Sequence, residues 1–424
     1  MNTSAKSWYV VCVLCVALFL SFTDRFIINL VVDPIRADLR LSDVQISLLQ
    51  GAGFAIIFAF ATLPCGRLAD SWNRRNLIAC GLVLWSTATI ACGFATDFTS
   101  FFAARVAVGL GEAALVPAAA SLIIDIFPPR ARGTALGVFT LGAVLGTGVA
   151  MFIGGLLLQL IEADRFSAWP WIGDQMAWRQ LMFLAGLPGF ALLALVMLIQ
   201  EPARQHSSGL MPVAQVFHEL IRDNGAVLRV CLVKAALAIG DYGLISWMPT
   251  LLKRNYGLSP LELGGILALA VSVSGALASV AGGAVSDWVV RRHGVRSRVV
   301  LLLGCYTITV VGGIAVLLAT SSQTVALALA LWVFGSVSGY VIGHAVMQEW
   351  VPNEMRATTI AISVASTALI GIGLGPTLVA LMSAHVLTGA HALQSAMGTV
   401  GVMAALLALL VIRPAVLARN RGAP

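Results

Sequence analysis

Charge is scarce in this sequence. Only 11% of its 424 residues are Asp, Glu, Lys or Arg, 59% are hydrophobic, and the mean hydropathy is +0.93. A water-soluble domain carries about a quarter of its residues as charges, so that class is excluded. No nucleotide-binding loop of the G-x-x-x-x-G-K-[ST] form is present, which argues against ATP-driven pumping. Cysteine is sparse as well. The seven (Cys12, Cys15, Cys65, Cys80, Cys92, Cys231 and Cys305) are odd in number and lie in apolar runs without partnering histidines. Neither a disulfide framework nor a metal site is expected, and no cofactor. The pair Cys12-x-x-Cys15 lacks the βαβ setting that a redox motif needs. The first apolar run has no small-residue cleavage site and is therefore expected to be a span, not a leader.

What the chain does have is a succession of apolar stretches, each of about 20 residues and long enough to cross roughly 30 Å of hydrocarbon. Six lie between Ser7 and Gln200 and six between Val227 and Ile412. The expected fold class is an all-α membrane protein with twelve transmembrane helices in two pseudo-symmetric six-helix halves. The expected divisions are an N-terminal bundle at 1–200, a linker at 201–226, a C-terminal bundle at 227–412 and a tail at 413–424. Within the linker, Val213 to Ile221 has apolar residues at helical spacing, so a short interfacial helix is expected there. The net charge of +7 does not point to nucleic acid, because the basic residues gather in every second connection, Arg74, Arg75, Arg132, Arg291, Arg292 and Arg356 among them. The intervening connections hold only Arg36, Arg40, Arg165, Arg179, Lys253 and Arg254. The positive-inside rule then puts both termini in the cytoplasm, in a multi-pass protein of the cytoplasmic (inner) membrane. Lys234, two turns into the seventh span, is expected to snorkel to the same side.

The halves repeat. Gly66-Arg-Leu-Ala-Asp70 followed by Arg74-Arg75 matches Gly283-Ala-Val-Ser-Asp287 followed by Arg291-Arg292 at an offset of 217 residues (283 − 66). The same offset carries Asp24 to Asp241. Pro128-x-x-x-Arg132 matches Pro352-x-x-x-Arg356 at an offset of 224 (352 − 128). Parallel repeats of this kind are consistent with a pseudo-two-fold axis along the membrane normal.

With these G-x-x-x-D-x-x-x-R-R loops and Arg105-x-x-x-Gly109 in the fourth span, nearly the whole chain resembles the major facilitator superfamily. The loop residues Gly66, Asp70, Arg74, Arg75, Gly283, Asp287 and Arg291, with Arg132 and Arg356, are expected to act as a conformational gate. Asp70 and Asp287 would lie near helix N-termini of the opposite half, where free N–H groups favour an anion. A narrower resemblance rests on Thr23-Asp24-Arg25-x-x-Ile28, Trp85-Ser86-x-x-Thr89, Gly109-Leu-Gly111-Glu112-Ala113, Trp247-Met-Pro249 and Gly371-x-Gly373-Leu-Gly375-Pro376. These are similar to the Spinster-like branch. That resemblance implies lipid-type or amphipathic organic anions as substrates, with the acidic residue of the first helix as the proton or coupling site.

Ionisable groups inside apolar spans are expensive and usually functional. Asp24 and Arg25 are neighbours and point about 100° apart on a helix, so each needs a partner elsewhere. Arg105 and Glu112 of the fourth span lie at overlapping depths, and the four are expected to cluster around a wet central cavity. Low-dielectric surroundings favour a neutral carboxyl, making Asp24 and Glu112 the expected proton-coupling residues. Arg25 and Arg105 stay cationic and, with Asp241, Tyr242 and His344, are expected to bind substrate. For His344 a hydrogen-bonded packing role is equally open. The expected function is secondary transport of a small or amphipathic organic anion by proton-coupled alternating access, without enzymatic activity, in a monomer surrounded by lipid. An uptake symporter for sugar acids or aromatic acids is one alternative. A non-transporting sensor or binding protein is another, though the signalling tail such a role often brings is missing. The Gly142-x-x-x-Gly146-x-Gly148 run is expected to serve close helix packing.

Overall fold

The computed structural model describes residues 5–203, 213–222, 225–294, 297–351 and 353–419, and the side chain of Arg356 lies outside what is described. The described residues contain helices and no strand. Among the described residues, eleven helices are long and apolar enough to cross a membrane. Six lie between Ala5 and Met197 and five between Pro260 and Ile412. The remaining expected span lies in α7 (Gly225–Tyr256), whose 32 residues would reach about 48 Å at 1.5 Å per residue and carry Lys234 and Asp241 in its interior. The architecture is that of a multi-pass, twelve-helix membrane protein.

Two compact units divide the chain. The first holds residues 1–207 and 257–268, the second 208–256 and 269–424. In the first, α1 (Ala5–Phe26) tightens into the short turn Ile27–Leu30. Two pieces, Asp43–Gln50 and Ala52–Ser71, make up α2, and α3 is Arg74–Gly93. A break after Glu112 also divides α4 into Phe98–Glu112 and Leu115–Ile126. The set is completed by α5 (Pro129–Glu162), α6 (Ala177–Met197) and the start of α8 (Pro260–Ala268), which packs against α5. Local chemistry sets the starts of these helices. Ser42 and Gln45 form a reciprocal capping box on α2, and Asp97 with Ser100 does the same for α4. Those hydrogen bonds from Ser100 hold the exposed Asp97 carboxyl below its usual range.

The glycines of α5 behave as the sequence predicts. A Cβ on Gly146 would fall 2.7 Å from the carbonyl oxygen of Phe19, so only glycine lets α5 lie against α1. A second close approach matters more for function. A Cβ on Gly111 would fall 2.7 Å from the carbonyl oxygen of Gly81, and this contact presses α4 against α3 one residue before Glu112.

In the second unit, α7 is joined by the remainder of α8 (Ser274–His293, entered through the π turn Leu269–Val273), α9 (Arg298–Leu318) and α10 (Ser322–Trp350). Residues 353–386 form α11, interrupted by π turns at Thr367–Ile372 and Met382–Val386, and α12 is Ala392–Arg419. Trp247 Nε1 donates to the carbonyl of Pro376 at 2.9 Å and ties α7 to α11. The expected amphipathic segment forms the helix Val213–Arg222, with Val216 and Leu220 buried and His218 exposed. It packs on α7 and on the start of α11.

Candidate functional site

Asp24, Arg25, Arg105 and Glu112 come together in the first unit, and all four are buried, at 4%, 6%, 3% and 1% exposure. Their elements explain why they meet. Asp24 and Arg25 occupy the last turn of α1, and Glu112 ends the first piece of α4. Helix ends leave carbonyls without intrahelical partners, and two of those carbonyls are satisfied by Arg105. Its Nε donates to the carbonyl of Leu49, near the end of the first piece of α2, at 3.0 Å. Its Nη1 donates to the carbonyl of Asp24 at 3.4 Å. Arg105 therefore braces two helix ends and does not ion-pair with either carboxylate of the cluster.

Arg25 and Glu112 form the ion pair, with Arg25 Nη2 2.7 Å from Glu112 Oε2. Ser21 Oγ donates to the same oxygen at 2.7 Å. The guanidinium also lies over the rings of Phe54, Phe22 and Phe58, 4.3, 4.5 and 5.2 Å from their centroids, a setting that favours a cation. Asp24 is placed differently. Its Oδ2 accepts from Thr89 Oγ1 of α3 at 3.4 Å, and among the described residues no basic side chain pairs with it. One polar atom of each member of the cluster, Asp24 Oδ1, Arg25 Nε, Arg105 Nη2 and Glu112 Oε1, is buried without a hydrogen-bond partner among the described residues. Unsatisfied buried groups at this density are unusual in a folded core and mark a place where a ligand, proton or water has work to do.

Sequence reasoning found the four charges and missed Ser21, Thr89 and the phenyl rings. Thr89 stood in a stretch singled out for its resemblance, without a role, and hydroxyls scattered through apolar helices carry no spacing signal of their own.

In the second unit, Asp241 takes the place that the repeat assigns to it. Its Oδ1 accepts from Trp332 Nε1 at 2.7 Å, and Ser336 Oγ bonds Oδ1 and Oδ2 at 2.7 and 2.8 Å. Tyr242 follows it on α7 and is partly exposed. Ser336 stands where Glu112 maps (336 − 112 = 224), so the two copies hold their aspartates with different chemistry. Lys234 does not snorkel as expected. It is 2% exposed, and its Nζ lies 3.0 Å from Nε2 of His344 on α10. The ammonium reaches a partner inside the unit, and that contact replaces the excursion to water.

The loop residues divide. Gly283 has open space around it, whereas a Cβ on Gly66 would touch Pro117 Cβ at 3.9 Å; Asp70, Arg132 and Arg291 lie toward the surface, with Arg132 Nε donating to the carbonyl of Phe127 at 3.0 Å. Arg74 is buried. It bonds Asp125, Glu201 Oε1 at 2.7 Å, Ser121 Oγ at 3.0 Å and the carbonyl of Pro202 at 3.0 Å. Glu201 Oε2 also accepts from the backbone N–H of Arg75 at 3.1 Å. In the second unit Arg298 bonds Glu349 and, at 3.0 Å, Asp287. The structural counterpart of Arg74 is therefore Arg298, and that of Asp125 is Glu349. Both lie 224 residues on (298 − 74 and 349 − 125), whereas the motif alignment had paired Arg74 with the exposed Arg291. Arg74→Lys is expected to lower the stability of the folded chain by about 3 kcal/mol, because a point-like ammonium cannot serve two carboxylates, a hydroxyl and a carbonyl from one fork. A thermal unfolding midpoint in neutral detergent that matches wild type would contradict this.

Comparison with known proteins agrees with the geometry. The family model described as Major Facilitator Superfamily matches residues 14–340. The chain is 28% identical to an MFS-type efflux pump of Mycolicibacterium smegmatis (strain ATCC 700084 / mc(2)155) over 384 residues, covering 89% of this chain and 85% of the pump. It is 24% identical to a probable galactarate/D-glucarate transporter of Escherichia coli (strain K12), covering 69% of this chain and 68% of that protein. Among solved structures, a bacterial homologue of the human lysosomal transporter Spinster, inward-facing and unoccupied, superposes with a TM-score of 0.83. It shares 26% identity and covers 100% of both chains. The Spinster-like resemblance read from the motifs is thus matched in three dimensions.

Proposed function

Because the chain belongs to the Major Facilitator Superfamily, we propose that it is a secondary transporter that moves a small or amphipathic organic anion across the cytoplasmic membrane by proton-coupled alternating access. The observation that carries this reading is the cluster of buried ionisable groups in the first unit, each with an unpartnered polar atom. In it, Arg25 is the cation available to the anionic head of a substrate, and Glu112 is its resident counter-charge. A substrate anion bonding Arg25 would compete with Glu112 for the same guanidinium.

Asp24 carries the proton. It is buried, its side chain has one hydrogen bond among the described residues and that bond is long, and as a neutral acid it needs no counter-charge, whereas as a carboxylate it would face a costly desolvation. Glu112 is engaged instead as the partner of Arg25 and Ser21, which both bond its Oε2. Asp241 and Tyr242 contribute the second unit's polar contacts to the substrate, and His344 acts there through Lys234, 3.0 Å from its Nε2. The charged loops, Arg74 with Asp125 and Glu201, and Arg298 with Asp287 and Glu349, act as the clamps whose contacts change as the protein alternates between states.

The likeness to the galactarate/D-glucarate transporter supports a second reading in which the cargo is a sugar acid and the direction is uptake. Both readings are tested in proteoliposomes holding the purified full chain. Labelled D-glucarate and labelled dodecyl phosphate are followed with and without an imposed proton gradient. Gradient-driven movement of one anion, abolished by a proton ionophore, is expected. Movement indifferent to the ionophore removes proton coupling, and movement of neither anion removes the anion assignment.

A further inference from the structure

Among the described residues, the pair formed by Lys234 and His344 has no acidic partner. Lys234 sits on α7, 2% exposed, with its Nζ 3.0 Å from His344 Nε2 and 5.5 Å from the centroid of the Tyr340 ring. Around it, Tyr340 Oη donates to the carbonyl of Lys234 at 3.1 Å. His344 Nδ1 lies 2.9 Å from the carbonyl of Tyr340. A carbonyl can only accept, so Nδ1 carries a hydrogen, and in the neutral ring Nε2 is then the lone-pair atom that receives a proton of the ammonium. Two protonated groups 3.0 Å apart would repel one another, so the pair holds at most one positive charge, carried by the ammonium when it is present.

Nothing nearby neutralises that charge. Among the described residues no carboxylate lies within ion-pairing distance of Lys234 or His344. The facing group from the packed helices is Tyr340 of α10, and Cys231 and Asp241 stand on α7 itself. Asp241 is seven residues along, about 10 Å at 1.5 Å per residue, and is already bonded by Trp332 and Ser336. An ammonium has three N–H donors. One is used on His344, and no acceptor for the other two is present among the described residues. A buried cation in this condition costs several kcal/mol unless an anion joins it. Tyr340 and His344 are partly exposed, so the pair is reached from their side.

We propose that Lys234 and His344 form an anion seat in the second unit that takes the oxyanion head, carboxylate or phosphate, of the transported molecule. The inference rests on the transport reading above and deepens it. Lys234 supplies the charge and two hydrogen bonds. His344, bonded to the carbonyl of Tyr340, holds the ammonium in place as a positioning residue. The seat is separate from Arg25, which lies in the other unit.

The test uses the purified full chain in a neutral detergent. The shift of its unfolding midpoint is titrated with D-glucarate, dodecanoate and dodecyl phosphate, and with glucose and dodecanol as uncharged controls. Wild type is expected to be stabilised by at least one anion and by neither control, and the carboxylate and phosphate arms tell which head fits. In Lys234→Met the apparent affinity for that anion falls at least about tenfold, which corresponds to ~1.4 kcal/mol, while Lys234→Arg retains it to within about threefold. If Lys234→Met yields no folded protein, Lys234→Gln, which keeps a donor and removes only the charge, is read in the same way. Equal anion affinity in wild type and the neutral variant overturns the seat and leaves the transport reading standing. A wild type that no anion stabilises overturns the seat together with the anion assignment.

Discussion

Asp24→Asn is expected to abolish accumulation of the substrate anion against its gradient while counterflow between two substrate pools continues. A proton gradient of one pH unit supplies about 1.4 kcal/mol per coupled proton, enough for roughly tenfold accumulation. Asparagine cannot carry that proton, and accumulation should fall to the ratio set by equilibrium exchange. The substitution is sterically mild, since asparagine is nearly isosteric with aspartate and can keep the hydrogen bond from the Thr89 hydroxyl at 3.4 Å, and the backbone carbonyl that braces Arg105 is unchanged. Folding should therefore be preserved, and the measured change is one of coupling. The decisive measurement is accumulation in proteoliposomes at a fixed pH difference, read beside counterflow in the same preparation. Accumulation that survives the substitution would move the coupling role to another group.

Arg25→Met is expected to have the largest effect on stability. Among the described residues the guanidinium is the only charged partner of the Glu112 carboxylate, which is 1% exposed. Removing one member of a buried pair leaves an uncompensated charge and costs about 3–5 kcal/mol. Glu112→Gln removes the other member, yet the remaining cation still lies among Phe22, Phe54 and Phe58, so its penalty is expected to be the smaller of the two. The double variant should recover much of the lost stability, because no naked charge remains, while substrate binding stays impaired for want of the cation. Thermal unfolding of the three variants forms a double-mutant cycle. Additive losses would mean that the two residues are energetically independent despite their 2.7 Å contact.

How much of this was legible in the sequence varies by kind of residue. Spans could be read from hydrophobic runs, because the bilayer imposes one length on all of them, and the charges of α1 and α4 announced themselves by being out of place in oil. Their partners did not. Arg105 was expected to hold substrate, yet it bonds the carbonyls of Leu49 and Asp24, and backbone acceptors leave no trace in a residue pattern. Lys234 was read by its nearness to a span end, whereas its contact with His344 depends on the packing of α7 on α10, which only tertiary structure reveals. In the charged loops the letters Asp-x-x-x-Arg-Arg aligned Arg74 with Arg291. Contacts align it with Arg298, because seven extra residues separate Asp287 from its arginine (298 − 287 against 74 − 70) and motif matching cannot see past them.

The three phenyl rings around Arg25 also determine what dissolved salt can do at that position. Mobile ions screen exposed charges over about 8 Å at physiological ionic strength, and buried charges much less; the Arg25 guanidinium, covered by Phe22, Phe54 and Phe58, is 6% exposed. Any grip exerted through Arg25 is thereby insulated from the electrolyte, and brine that weakens surface attraction leaves the interior bond at nearly full strength.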